Sequence, residues 1–218
     1  ERRLREQLEF VACDLQRKVR GVSPDHMARA IQHSNAALDD YLELCRLRRH
    51  IPAPWKGSEA LNYVLLFLWS WGSAWLRPFY RGLREHAQAV VATGGYPVPH
   101  ERFRLLWLNL RPYYSPRMFQ FLEGDCQASI AFEEYSYPYW ARLDENDPYT
   151  SIARKMMANF GWGPIERRLD AVNRMVEDYS IGGAIQFAQW GCRQSNGGAS
   201  ILADHLRRMG IPFLNLDG

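Results

Sequence analysis

One stretch of this chain carries residues that could do chemistry at a spacing worth following: WGCRQSNGGAS, Trp190 to Ser200. The apolar run GGAIQFAQ precedes it and the helix-like run ILADHLRRMG follows. Cys192 therefore stands where a buried strand should end and a helix should begin. Free N–H groups and the positive end of a helix dipole favour a thiolate there, the form of cysteine that binds metal or attacks an electrophile. Gly197 and Gly198 let backbone come close to a bulky group. On spacing alone a structural or merely polar loop is the favoured reading, because one cysteine cannot hold zinc or an iron-sulfur cluster, which need three or four protein ligands. Cys13, Cys45 and Cys126 lie far from it in sequence, with no CxxC or Cys/His pair. Cys13 and Cys45 fall inside helical patterns and Cys126 before a strand, positions that suit structural side chains. A disulfide framework is not indicated, and a reducing cytoplasm is the expected setting.

Other candidate motifs are weaker. Glu133 and Glu134 sit near the end of an apolar run, where strand alternation turns neighbours to opposite faces. That argues against two carboxylates converging on one substrate, although one of them could face a cleft. GWGPIE (161 to 166) holds half of a glycine-rich nucleotide fingerprint but follows a helix, so a helix-turn-helix junction with Pro164 at a helix start explains it. The six histidines are scattered, all but His100 in helical stretches, and form no triad. Trp69, Trp71 and Trp75 crowd what reads as one helix, a stripe that suits core or a subunit contact surface.

These residues need positioning, and the chain separates into two patterns. Residues 1 to 95 read as a helical region: an α-hairpin over residues 1 to 50, with Ser23 as N-cap and Pro24 at the first helical position, then a second helical block over 58 to 91 that closes at Gly94-Gly95. Residues 96 to 218 read as an α/β lobe. Strands are predicted over 103 to 110, 129 to 137, 182 to 190 and 211 to 216, and the order β-α-β-α-α-β-α-β predicts a four-stranded parallel sheet flanked by helices, flavodoxin- or Rossmann-like. Ligands in such sheets sit beyond the carboxyl ends of the strands. The loops selected are 111 to 116, 135 to 149, 190 to 198 and whatever follows Gly218.

With 218 residues, 47% hydrophobic and 23% charged, the composition is that of a globular protein with a sizeable core. A net charge of +3 with dispersed basic residues argues against nucleic acid as a partner. The longest apolar stretch, VLLFLWSWGSAWL, has 13 residues against the roughly 20 of a spanning helix, so no membrane association is expected. The chain begins at Glu1 and stops at Gly218 after an apolar run, and both ends are expected to be cuts within a longer polypeptide.

The segment GGAIQFAQWGCRQSNGGASILADHLRRMGIPFLNLDG resembles the carboxyl-terminal part of subunits of the 2-hydroxyacyl-CoA dehydratase and benzoyl-CoA reductase family, in which a strand runs into a loop cysteine, a helix and a "GIP" strand. SNAALDDYLELCRLRR before IPAP, FRLLWLNL with RPYY, and FLEGDCQASIAFEEYSY fall in the same order, so the resemblance covers nearly the whole chain, most specifically from Gly182 to Gly218. It implies an oxygen-sensitive enzyme with a four-iron four-sulfur (4Fe-4S) cluster between two α/β lobes, fed one electron at low potential by an ATP-dependent activator protein with its own cluster. A dehydratase forms a ketyl radical on an acyl-CoA and expels its hydroxyl, as a lyase; the alternative branch, an oxidoreductase, reduces an aryl-CoA ring. Further alternatives are a non-catalytic partner subunit and a flavodoxin-like binding module. The resemblance makes Cys192 a cluster ligand, with other ligands outside this sequence, and implies a homologous second subunit. With Cys192 in that role, Arg193, Gln194, Ser195 and Asn196 are either donors near the cluster or the thioester or only caps of the next helix, and Arg111, Tyr113 and Tyr114, in the loop after the first strand, could line the same cleft from the other side. Where some members carry a further cysteine, this chain has Tyr135-Ser136-Tyr137.

Overall fold

The computed structural model describes residues 1–218. Five α-helices precede an α/β part in which four strands alternate with helices as the hydropathy pattern predicts, but several boundaries shift and a short helix replaces part of the loop 190 to 198. The helical part holds α1 (Arg2–Lys18), α2 (Pro24–Leu47), α3 (Gly57–Ala60), α4 (Val64–Trp69) and α5 (Leu76–Thr93). Ser23 is the extended N-cap of α2 with Pro24 behind it. Gly94 closes α5 at φ 73°, a left-handed turn that suits glycine.

The expected α-hairpin does not form. The buried face of α2, with Leu38, Tyr41, Leu44 and Cys45, packs on α5 through Leu76, Tyr80 and Ala87, so α2 takes α5 and not α1 as its main partner. α1 lies instead against α7 (Pro148–Ala158) and buries no residue fully. The second block is likewise not one helix. Trp69 ends α4 and is 76% exposed, whereas Trp71, in the turn that follows, packs edge-on to Tyr41 and Trp140. His50 falls just past α2 and not within a helix.

The α/β part runs β1 (Phe103–Leu108), α6 (Pro116–Gln120) continued by a π-helical turn over Phe121–Asp125, β2 (Ala128–Glu133), a 3-10 turn over Glu134–Ser136, α7, α8 (Ile165–Asp178), β3 (Gly183–Ala188), α9 (Arg193–Gly197), α10 (Ala199–Arg208) and β4 (Phe213–Asp217). GWGPIE joins α7 to α8, and Pro164 is the N-cap of α8, one position before the helix. The sheet is wholly parallel, in the order β2-β1-β3-β4, so the strand order reverses between β1 and β3. In such sheets the crevice at that reversal, outside the carboxyl ends, is where ligands bind.

Alternation along the strands feeds two apolar layers. Trp107, Ile130, Ile185 and Phe187 pack with Leu61, Val64 and Phe119. Leu106, Leu108 and Ala184 turn to Val172 and Met175 of α8 and to Leu202 and Leu206 of α10. Register slips by one residue where Leu105 pairs with Ile130 and Leu106 with Phe132. That bulge lets Ile130 enter one layer and Phe132 the other, which strict alternation forbids. Gly57 is required by close approach: a Cβ there would lie 2.2 Å from the Ile130 carbonyl oxygen, so α3 rests directly on the backbone of β2.

Candidate functional site

The carboxyl ends of all four strands are tied by one polar network. β1 exits through Asn109, whose left-handed φ of 69° aims its N–H at Glu134 Oε2 (3.1 Å) and its side-chain amide at the Phe187 carbonyl (2.8 Å). Glu134 is held by Arg168 of α8 in two hydrogen bonds, at 2.5 and 2.9 Å. Arg168 also donates to Gln186 Oε1 (3.2 Å). Gln186 Nε2 donates in turn to the Ser195 carbonyl (2.9 Å) and to Asn215 Oδ1 of β4 (3.2 Å). Gln186 is wholly buried and the Glu134 side chain almost so. Buried polar groups need partners, and here each member supplies the next.

This network anchors the segment that carries Cys192. The predicted loop 190 to 198 is mostly the short helix α9, with Cys192 as its N-cap, reached through Gly191 at φ 83°. Cys192 N–H donates to the Gln189 carbonyl (2.9 Å), and Asn196 Nδ2 donates to the same carbonyl (3.3 Å). The Ser195 hydroxyl lies beside the Cys192 sulfur and donates to its carbonyl (3.1 Å); its single proton can serve either acceptor. That hydroxyl, with the N–H groups of Ser195 and Gln194, pulls the thiol below its ordinary pKa. The sequence expectation of a thiolate-favouring position agrees with this geometry.

The remaining predicted residues divide. Gln194 turns back to the Gly161 carbonyl (2.8 Å), and Arg193 is exposed. Tyr114 comes up to the same edge, its ring 6.2 Å from Phe187 and its hydroxyl close to Gly218, whose carbonyl receives the Trp190 N–H (2.8 Å). Arg111 goes elsewhere: its guanidinium bonds the Ser58 carbonyl (3.0 Å) and Asn62 Oδ1 (2.6 Å) over the Phe119 ring, in a polar cleft beside α3, with Tyr113 above it. A buried guanidinium takes the nearest unpaired carbonyl, and α3 offers one. The second strand stops at Glu133 and not at Tyr137. Glu133 and Glu134 do take separate partners, Arg48 and Arg168, so they form no carboxylate pair.

Sequence reasoning missed Arg168, Gln186 and Asn215, and the signal for the first two was present. Arg168 occupies the same α8 face as Ala171, Val172 and Met175, at core spacing, and Gln186 interrupts an apolar strand. A small cavity of about 20 Å³ lies among Glu134, Tyr135, Arg168, Gln194 and Ser195, space for a single water. Tyr135, its phenol pushed up to about 12 chiefly by burial and further by Glu134, is a neutral donor there. Cys45 is buried, its thiol pushed up to about 12 by that burial, Cys13 is exposed on α1, and Cys126 follows the π-helical turn. No three His, Cys, Asp or Glu side chains converge as a metal site. Toward a four-iron cluster the chain thus offers one suitable thiolate position and not a complete ligand set.

No helix is long and apolar enough to cross a membrane. A family model described as 2-hydroxyglutaryl-CoA dehydratase, D-component, matches residues 1–218, the whole chain. No curated protein matches it.

Proposed function

The chain belongs to the 2-hydroxyglutaryl-CoA dehydratase D-component family, and from that premise we propose that it works in the radical dehydration of a 2-hydroxyacyl-CoA, a lyase reaction, with Cys192 as one ligand of a 4Fe-4S cluster. The observation that carries the ligand assignment is the place of Cys192: at the β3 exit, beside the β1/β3 reversal, with its thiol lowered by Ser195 and Gln194. The other ligands come from outside residues 1–218, since no three His, Cys, Asp or Glu side chains of this chain converge. Bound there, a cluster would supply one-electron transfer to a thioester carbonyl, with an ATP-dependent activator and a homologous subunit as partners.

The chain's own residues do the rest. Ser195 and the first N–H groups of α9 hold Cys192 as thiolate, and hydrogen bonds of this kind to a ligating sulfur raise a cluster's potential. Gln186, braced by Arg168 and Glu134, fixes the Ser195 backbone and with it the sulfur. Tyr135 offers a protonated phenol to the same space. Tyr114 and Trp190 form an aromatic rim that excludes water once a second surface covers it.

Iron and acid-labile sulfide analysis on anaerobically isolated full-length protein tests this. The wild type should carry iron and sulfide in equal amounts, and Cys192→Ala should lose the cluster or change its EPR signal. An iron-free wild type sinks the enzyme reading; Cys192→Ala with unchanged iron, sulfide and spectrum sinks the ligand assignment.

A further inference from the structure

A well-formed apolar cavity lies away from the sheet edge. About 620 Å³ opens between α1, α2 and α7, within the range of small-molecule sites. Its body is apolar, with Met27, Ile31, Leu143, Ile152 and Met156 in the wall, and the methionines give that wall an adaptable surface. Among 15 lining residues only Lys155 is charged.

Lys155 is held in an unusual way for a cation. Its Nζ lies 3.9 Å from the centroid of Trp140 and 5.2 Å from that of Trp71, two indoles that meet at 87°. No carboxylate stands against it, and burial alone pulls the ammonium down to about 8. The indole N–H groups of Trp71 and Trp140 are buried without acceptors, and Asn159 Oδ1 is already taken by the Gly161 N–H (2.9 Å). The corner of the cavity therefore presents an ammonium with no carboxylate partner, beside an apolar chamber. A ligand that suits both carries one anionic acceptor on a hydrocarbon body. A dianionic phosphate would leave one charge uncompensated in apolar surroundings, which is costly.

We propose that this cavity binds an apolar monocarboxylate, with its carboxylate on Lys155 Nζ and its hydrocarbon body among Met27, Ile31, Leu143 and Met156. The site shares no residue with the Cys192 segment, so the inference stands or falls apart from the dehydratase reading. Because a free acid and an acyl thioester carry the same hydrocarbon, the charge on the carboxylate is what separates them.

Calorimetric titration of the intact protein at pH 7 with octanoate, 1-octanol and octanoyl-CoA tests the proposal. Octanoate should bind about tenfold or more tightly than octanol, as expected for one charge-assisted hydrogen bond. Lys155→Met should abolish that preference while octanol binding stays, and Lys155→Arg should keep octanoate within a few-fold. Far-UV circular dichroism on both variants checks the fold, and the arginine variant retains the test if the methionine variant is misfolded. Equal binding of octanoate and octanol, octanoate binding unchanged in Lys155→Met, or octanoyl-CoA displacing octanoate at equal or lower concentration would overturn the proposal.

Discussion

Replacing Arg168 by methionine should destabilise the protein far more than an average substitution. The guanidinium is the sole cation against Glu134, whose side chain is 2% exposed, and it also donates to Gln186. Without it the carboxylate keeps only the Asn109 N–H at 3.1 Å. Removing one member of a buried ion pair costs about 3–5 kcal/mol, because the survivor stays charged and unpaired. With a urea dependence of about 2 kcal/mol/M, the unfolding midpoint should fall by about 1.5–2.5 M at unchanged slope. The double variant Glu134→Gln/Arg168→Met should recover part of that loss, since a neutral amide can still accept from Asn109 and leaves no buried charge. A fall of less than about 1 kcal/mol in Arg168→Met, or a double variant whose loss is the plain sum of the singles, would refute the claim that this pair braces the sheet edge.

Two further predictions concern titrating groups. Ser195→Ala removes one of the donors to Cys192, so the pH midpoint for alkylation of Cys192 by iodoacetamide should rise by about 0.5–1 unit, the equivalent of one hydrogen bond; an unmoved midpoint would show that the backbone N–H groups suffice. Lys155 has a folded pKa near 8 against 10.5 for the free side chain. Between those values the unfolded chain binds more protons, so stability should rise as pH climbs from about 8 toward 10.5. Urea midpoints across that range check it, and in Lys155→Met the contribution of this group should vanish.

Local physics made much of the fold readable. Ser23-Pro24 and Gly94 mark helix ends because capping and a left-handed turn depend on residues a few positions away. The parallel sheet and its helical cover follow from short apolar runs alternating with helical ones, and the carboxyl edge as the candidate site follows from that topology. Cys192 was legible as a thiolate position for the same reason, since its donors, Gln194 and Ser195, are two and three residues on.

What the chain order could not reveal lies in pairings over distance. Strand periodicity carried β2 through Tyr137, but a bulge after Ile130 and the reach of Glu134 to Arg168, 34 positions away, end it at Glu133. Arg111, expected beside Cys192, found the Ser58 carbonyl 53 positions earlier instead. α2 packs on α5, whose first residue is Leu76, and α1 on α7, instead of on each other. By itself the sequence determined element types, their parallel order and the chemistry available at one cysteine, because each depends on near neighbours. Tertiary structure alone decided which buried charge meets which, because a desolvated guanidinium or carboxylate pairs with whatever the packing brings within reach.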